Sequence, residues 1–197
     1  MRVISGTAKG RALKAVPGTG TRPTTDKVKE AIFSMIGPYF DGGQALDLYA
    51  GTGGLGIEAL SRGMDRAVFV DGDKRALDVV QHNLQATRLE EQAEVYRNDA
   101  QRALKALAKR DVRFRLVFLD PPYKLRTIET IVQSLQSLAL LEPNATIVVE
   151  HETDYAVEER IGRASCIRRV QYGDTMVSIY SVNTIEEDEE EMTDEQA

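Results

Sequence analysis

The stretch QALDLYAGTGGLGIEALSRG, residues 44–63, decides the fold. QALDLYA is a short apolar run of strand length, GLGIEALSRG has helical spacing and a closing glycine, and glycines join the two. A strand handed to a helix through glycines begins a β-α unit, and the unit repeats downstream. RAVFVDGD (66–73), AEVYRND (93–99), RLVFLD (115–120) and NATIVVE (144–150) read as strands. KRALDVVQHNLQATR (74–88), AQRALKALAKR (100–110) and RTIETIVQSLQSL (126–138) read as the helices between them. SCIRRVQYG and DTMVSIYSV, residues 165–182, read as an antiparallel hairpin turning at Gly173 and Asp174. The expected fold is an α/β doubly wound, Rossmann-like sheet, mostly parallel, with a C-terminal antiparallel hairpin and a small N-terminal extension.

At 197 residues, 42% hydrophobic and 28% charged, the chain fits one globular domain. Its N-terminus lacks a secretory apolar region and its apolar runs are strand-length, so neither export nor membrane insertion is indicated and a cytoplasmic location is expected. The one cysteine, Cys166, excludes an internal disulfide and a multi-cysteine metal site. His82 and His151 are too isolated to suggest zinc and are expected at the surface or supporting other residues, so no metal is expected.

The net charge of −6 is concentrated in residues 186–197, which hold eight acidic and no basic residues. Such a block reads as a disordered solubilising tail, and the remaining body is mildly basic. Residues 1–30 carry seven Lys and Arg against Asp26 and Glu30. The chain therefore divides into a basic segment (1–40, a β-hairpin plus helix), a main domain (41–185) and the tail.

Ligands of doubly wound sheets bind beyond the carboxyl ends of the strands, near the point where strand order reverses. At the first strand end, Gly51, Gly53 and Gly56 allow a tight turn and close approach of a ligand to a helix N-terminus, beside Asp47 and Tyr49. Asp71 ends the second strand 20 residues after Gly51, the separation expected of a carboxylate that takes two ribose hydroxyls. Together these point to a cofactor containing a nucleoside. No phosphate-binding Gly-Lys-Ser/Thr is present, and the extra glycine at Gly54 departs from the dinucleotide pattern, which leaves NAD possible but disfavoured.

The fourth strand ends in Asp120, Pro121, Pro122 and Tyr123. DPPY resembles the catalytic motif of methyltransferases that act on exocyclic amines, and an exocyclic amine on a nucleobase is a poor nucleophile, because its lone pair is delocalised into the ring. Asp120 and the Pro121 carbonyl can accept hydrogen bonds from that amine and draw its nitrogen toward tetrahedral geometry. The prolines stiffen the loop, and Tyr123 can stack on the base, a contact worth ~1–3 kcal/mol in nucleic-acid sites. A Pro-rich turn capped by Asp is the structural alternative.

LDLYAGTGGLG resembles the first motif of class I methyltransferases that use S-adenosylmethionine, with Tyr49 as the aromatic seen in enzymes acting on exocyclic amines. DPPY resembles their catalytic motif. RVISGTAKGRAL (2–13), TRPTTDKVKEAIFSMI (21–36), GLGIEALSRG (54–63), FLDPPY (118–123) and YGDTMVSIY (172–180) are similar to the RsmD-type methyltransferases, which methylate the N2 amine of one guanine in small-subunit (16S) ribosomal RNA. The resemblance implies that Tyr49, Gly51, Gly53 and Gly56 meet the methionine end of the cofactor. Asp71 then takes its ribose, and Asp99 its adenine with Ala100 beside it; Asp99 equally suits a helix N-cap. Asp47 either contacts the cofactor or braces the turn. The family usually shows Glu where this chain has Asp71, so Asp73 is a second candidate for the ribose. Residues 1–30 are the expected RNA-binding edge, with Lys9, Arg11 and Arg22 on phosphates. A monomer acting on ribosomal RNA, naked or in an assembling small subunit, is expected. Other readings are a DNA adenine or cytosine methyltransferase, a protein-glutamine methyltransferase, or a silent cofactor-binding module. The short chain after Tyr123 leaves little room for a DNA-reading element.

Overall fold

The computed structural model describes residues 1–17, 25–122 and 125–183. Tyr123, Arg22 and the acidic tail lie outside them. The apolar runs form β1 (Gln44–Leu48), β2 (Arg66–Asp71), β3 (Ala93–Arg97), β4 (Phe114–Leu119) and β5 (Leu141–Glu152), paired in parallel in the order β3-β2-β1-β4-β5. β8 (Thr175–Val182) then joins β5 antiparallel and β7 (Ala164–Tyr172) joins β8, with the two-residue β6 (Arg160–Ile161) at the edge. The expected doubly wound sheet and C-terminal hairpin are both present, the hairpin turning at Gly173 with φ 61°. β5 begins earlier than the apolar pattern indicates. A bulge opposite Phe114 and Leu116 takes up the polar Glu142, Pro143 and Asn144, so the strand continues through them.

Both faces of the parallel strands are apolar because both are covered. α1 (Asp26–Ile36), α2 (Gly54–Ser61) and α3 (Lys74–Thr87) pack on one face, where Ile32, Phe33, Leu60 and Val80 meet Ala45, Phe69, Phe118 and Val148. α4 (Ala100–Ala108) and α5 (Ile128–Ser137) cover the other, where Leu104, Leu107, Val132 and Leu135 meet Leu48, Val70, Leu119 and Val149. Phe33, Phe69 and Phe118 are wholly enclosed, each contributing roughly 1.5–3 kcal/mol through burial.

The basic N-terminal segment shares the first of these cores through Val3, Ala8 and Leu13. Residues 1–13 double back as a narrow hairpin, with Val3 N–H donating to Arg11 O and Leu13 N–H to Met1 O, both at 2.9 Å. Glu58 of α2, fully buried, fastens it by accepting from the N–H groups of Ile4 (2.9 Å) and Ser5 (3.0 Å). The same carboxylate pairs with Arg62 Nε at 2.8 Å and Lys29 Nζ at 3.4 Å. Burial lowers the Lys29 pKa and Glu58 opposes that shift. Gly6 is required here: its φ is +84°, and a Cβ would fall 1.7 Å from Ser61 O.

The two histidines differ. His82 is exposed on α3, whereas His151 lies within β5, its Nε2 2.9 Å from Ser178 Oγ and its Nδ1 2.9 Å from Glu152 O. Burial lowers the His151 pKa.

Candidate active site

β1 and β4 are neighbours, and the chain leaves them toward opposite faces of the sheet, which makes their carboxyl ends the switch point of the fold. The register Leu48↔Leu119 and Leu48↔Val70 brings the glycine turn, Asp71 and Asp120 to one rim. Alternation along the strands puts Asp47, Asp71, Asp120 and Glu150 on the face that also carries Ala45, Phe69, Phe118 and Val148.

The turn after β1 departs from ordinary backbone geometry. Tyr49 (φ 68°), Gly51 (φ 56°) and Gly53 (φ 75°) are all left-handed, and for the non-glycine Tyr49 that costs about 1–2 kcal/mol. The surroundings over-determine it, as is common at binding sites. The N–H groups of Tyr49 and Ala50 both donate to Val70 O, at 3.0 and 2.9 Å. Gly51 N–H donates to Asp71 Oδ2 at 2.9 Å, and Gly56 N–H to Asp47 Oδ2 at 2.9 Å.

The glycines serve different ends. Space beside Gly51 is open, whereas a Cβ at Gly56 would fall 2.4 Å from the Phe69 ring and 3.0 Å from Asp47 Oδ2. Gly56, grouped with the methionine end in the sequence reading, is demanded by close packing of α2 on β2, and its N–H is engaged by Asp47. Asp47 therefore braces the turn.

Three carboxylates converge below the rim. Asp120 follows Leu119, which pairs with Val149, so Asp120 and Glu150 stand side by side on adjacent strands. Burial first, then Glu150 and Asp47, pushes the Asp120 carboxyl well above the usual carboxylate range, although part of the residue's surface stays open. Asp47 is buried and its pKa is pushed up to about 7: desolvation raises it most, Gly56 N–H opposes, and Asp71 and Glu150 add to the rise. Glu150 was not singled out in the sequence, although it is the last residue of TIVVE and the attention paid to other strand ends would have found it.

The remaining candidates fall around this rim. Asp71 Oδ1 also accepts from Asp73 N–H at 2.8 Å. Asp73 itself is the N-cap of α3, accepting from Arg75 N–H at 2.9 Å and pairing with the Arg75 guanidinium. Asp99 is exposed and caps α4 by accepting from Arg102 N–H at 3.2 Å, and Ala100 is buried behind it. Tyr49 is half-buried, and its pKa is raised by burial, with Thr127 opposing and Asp99 adding. The Thr127 hydroxyl, its polar neighbour at the head of α5, is buried without a well-formed hydrogen bond. Pro121 is buried and Pro122 exposed, and Pro122 O accepts from Leu125 N–H at 2.8 Å. Lys9 is exposed on the hairpin, and Arg11 reaches α3, where its guanidinium donates to Ala86 O at 2.9 Å. Among the described residues no group of His, Cys, Asp and Glu suits a metal ion, and no helix is long and apolar enough to cross a membrane.

The fold and the strand-end residues together define a methyltransferase-type doubly wound domain. The chain belongs to the family described as "Conserved hypothetical protein 95", whose model matches residues 1–181. It is 55% identical over 180 residues to "Putative rRNA methyltransferase YlbH" of Bacillus subtilis, covering 91% of this chain and 98% of that protein. It is 39% identical over 155 residues to "Ribosomal RNA small subunit methyltransferase D" of Haemophilus influenzae, covering 78% of this chain and 80% of that one. Among solved structures, "Putative methyltransferase yhhF from Escherichia coli" superposes with a TM-score of 0.79 at 33% identity, covering 93% of this chain and 98% of that one.

Proposed function

We propose that the protein transfers a methyl group from S-adenosylmethionine to the exocyclic N2 amine of a guanine in small-subunit ribosomal RNA, releasing S-adenosylhomocysteine. The observation that carries this reading is Asp120, followed by Pro121 and Pro122, at the end of β4 directly beside a left-handed glycine turn held by Asp71. The relatives named as ribosomal RNA methyltransferases support the choice of RNA.

The residues present fit the cofactor. The open space at Gly51 and the Asp71 carboxylate at the rim, beside the half-buried Tyr49, offer a polar, accessible cradle. Tyr49, Gly51 and Gly53 would border the methionine end, Asp71 the ribose, and Asp99 with Ala100 the adenine. Bound there, the cofactor supplies an electrophilic methyl group on a sulfonium. Each Asp71 oxygen holds one backbone N–H and keeps a lone pair for a ribose hydroxyl.

On the substrate side, the Asp120 carboxylate and the Pro121 carbonyl accept from the amine and aim its lone pair. A raised proton affinity suits Asp120 for this task, since it strengthens acceptance from a weakly acidic N–H and lets the carboxylate take up the proton that methylation makes acidic. Tyr123, outside the described residues, would hold the plane of the base. Guanine hides its N2 amine in the minor groove of a duplex, so an unpaired or flipped base is required, with the basic hairpin holding the flanking strand. The test is methyl transfer from labelled S-adenosylmethionine to small-subunit ribosomal RNA, followed by nucleoside analysis: N2-methylguanosine is expected, and label in another nucleoside, or none in RNA, refutes the assignment.

A further inference from the structure

The helix α3 carries a buried amide that no step above uses. Asn83 is fully enclosed, yet all three of its side-chain hydrogen bonds leave its own helix. Its Oδ1 accepts from Lys14 N–H at 2.7 Å, and its Nδ2 donates to Lys14 O at 3.1 Å and to Thr52 O at 2.9 Å. The network fixes the orientation of the amide, because the reverse would set a carbonyl against two carbonyls. Both donors and the acceptor are thereby used, which is what allows a polar group to sit in an apolar core.

The two partners of Asn83 belong to different parts of the proposed machinery. Thr52 lies between the left-handed Gly51 and Gly53, and the turn is pinned by Asp71 at Gly51, by Asn83 at Thr52 and by Asp47 at Gly56. Of these three pins, Asn83 also grips the basic segment. Arg11 reinforces that line by donating to Ala86 O further along the same helix. Anything that steadies residues 11–14 against α3 therefore steadies the carbonyl of Thr52.

We infer that Asn83 is a positioning residue tying the basic N-terminal segment to the cofactor turn, so that RNA on the segment and the cofactor in the turn bind with linked affinities. The inference rests on the functional reading above. Linkage is reciprocal, so RNA must tighten the cofactor by the same factor as the cofactor tightens RNA.

The test measures the dissociation constant of S-adenosylhomocysteine calorimetrically, with and without a saturating transcript of small-subunit ribosomal RNA, in the parent and two variants. Asn83→Asp keeps the acceptor for Lys14 N–H but turns a carboxylate oxygen toward two carbonyls. Lys14→Pro removes the N–H from the other end and leaves the Asn83 side chain itself unchanged. In the parent the transcript is expected to tighten S-adenosylhomocysteine by about five- to a hundredfold. In both variants that ratio falls toward one, and KM for RNA and for cofactor rises more than kcat falls. A merely structural amide would lower the melting temperature and leave the ratio intact. A parent ratio of one, or a parental ratio in a folded variant, overturns the inference. A parent that binds S-adenosylhomocysteine but not the transcript instead overturns the RNA reading, and this inference with it.

Discussion

The Asp71 carboxylate holds the Gly51 N–H at 2.9 Å, so the acid at the end of β2 shapes the turn at the end of β1. Asp73, two residues on, is spent on capping α3. Asp71→Ala should therefore weaken S-adenosylmethionine binding at least tenfold to a hundredfold, charge-assisted hydrogen bonds being worth about 1.5–3 kcal/mol each. Asp73→Ala should cost about 1 kcal/mol of stability with little change in affinity. Calorimetric titration and thermal unfolding of the two variants separate the roles, and the opposite pattern would move the ribose to Asp73.

Asp120 is proposed to act on the amine and not on the cofactor. Asp120→Ala should keep most affinity for S-adenosylmethionine while single-turnover methylation falls by about 10²–10³. Because accepting from the amine requires the ionised carboxylate, the parent's rate should fall as pH drops through the raised pKa of Asp120. Tyr123→Ala should be slow and Tyr123→Phe mild, since stacking needs only the ring.

Asp47 makes stability depend on pH. Its folded pKa of about 7 lies above the ordinary carboxylate value, so the folded state keeps a proton that the unfolded chain has lost. The group's contribution is complete below about pH 4 and is lost as pH rises to about 7. Asp47→Asn can still accept from Gly56 N–H and never ionises. It should be more stable than the parent at pH 8, by at most about 4 kcal/mol, with a gap that shrinks toward pH 5. Urea unfolding across that range checks this, and a gap independent of pH would contradict it.

Glu58 pairs with both Lys29 and Arg62 and holds the backbone of Ile4 and Ser5. Glu58→Ala leaves buried charges unpaired and should cost about 3–5 kcal/mol. Hydrogen exchange of residues 2–8 should accelerate well beyond that of the β4 core, whereas uniform acceleration would mean that the hairpin is not separately fastened.

RNA binding by the basic segment should appear in its salt dependence. A Lys9→Ala/Arg11→Ala/Arg22→Ala variant should flatten the slope of log affinity against log salt by about two, at roughly 0.7 per phosphate contact on a single strand. Filter binding between low and moderate salt measures it, and a parental slope would move the RNA surface to another face.

Much of this architecture is local information. QALDLYAGTGGLG spells a strand, a left-handed turn and a helix start within a few residues, and strand-end acids such as Asp71 and Asp120 stand where apolar runs stop. Propensity, period and turn chemistry act over that short range, which is why the doubly wound fold class and the positions of the strand ends were legible in the sequence. Register is not local. That Asp120 stands beside Glu150, that Asp47 shares their face and is driven to a pKa of about 7, and that Gly56 is closed off by Phe69 all depend on which strands become neighbours and how they slide. Asn83 shows the same limit: within KRALDVVQHNLQATR it reads as one more polar helix residue. Only folding brings Lys14 and Thr52, 69 and 31 residues away in the chain, to its amide, because a buried polar group is defined by the partners that tertiary packing supplies.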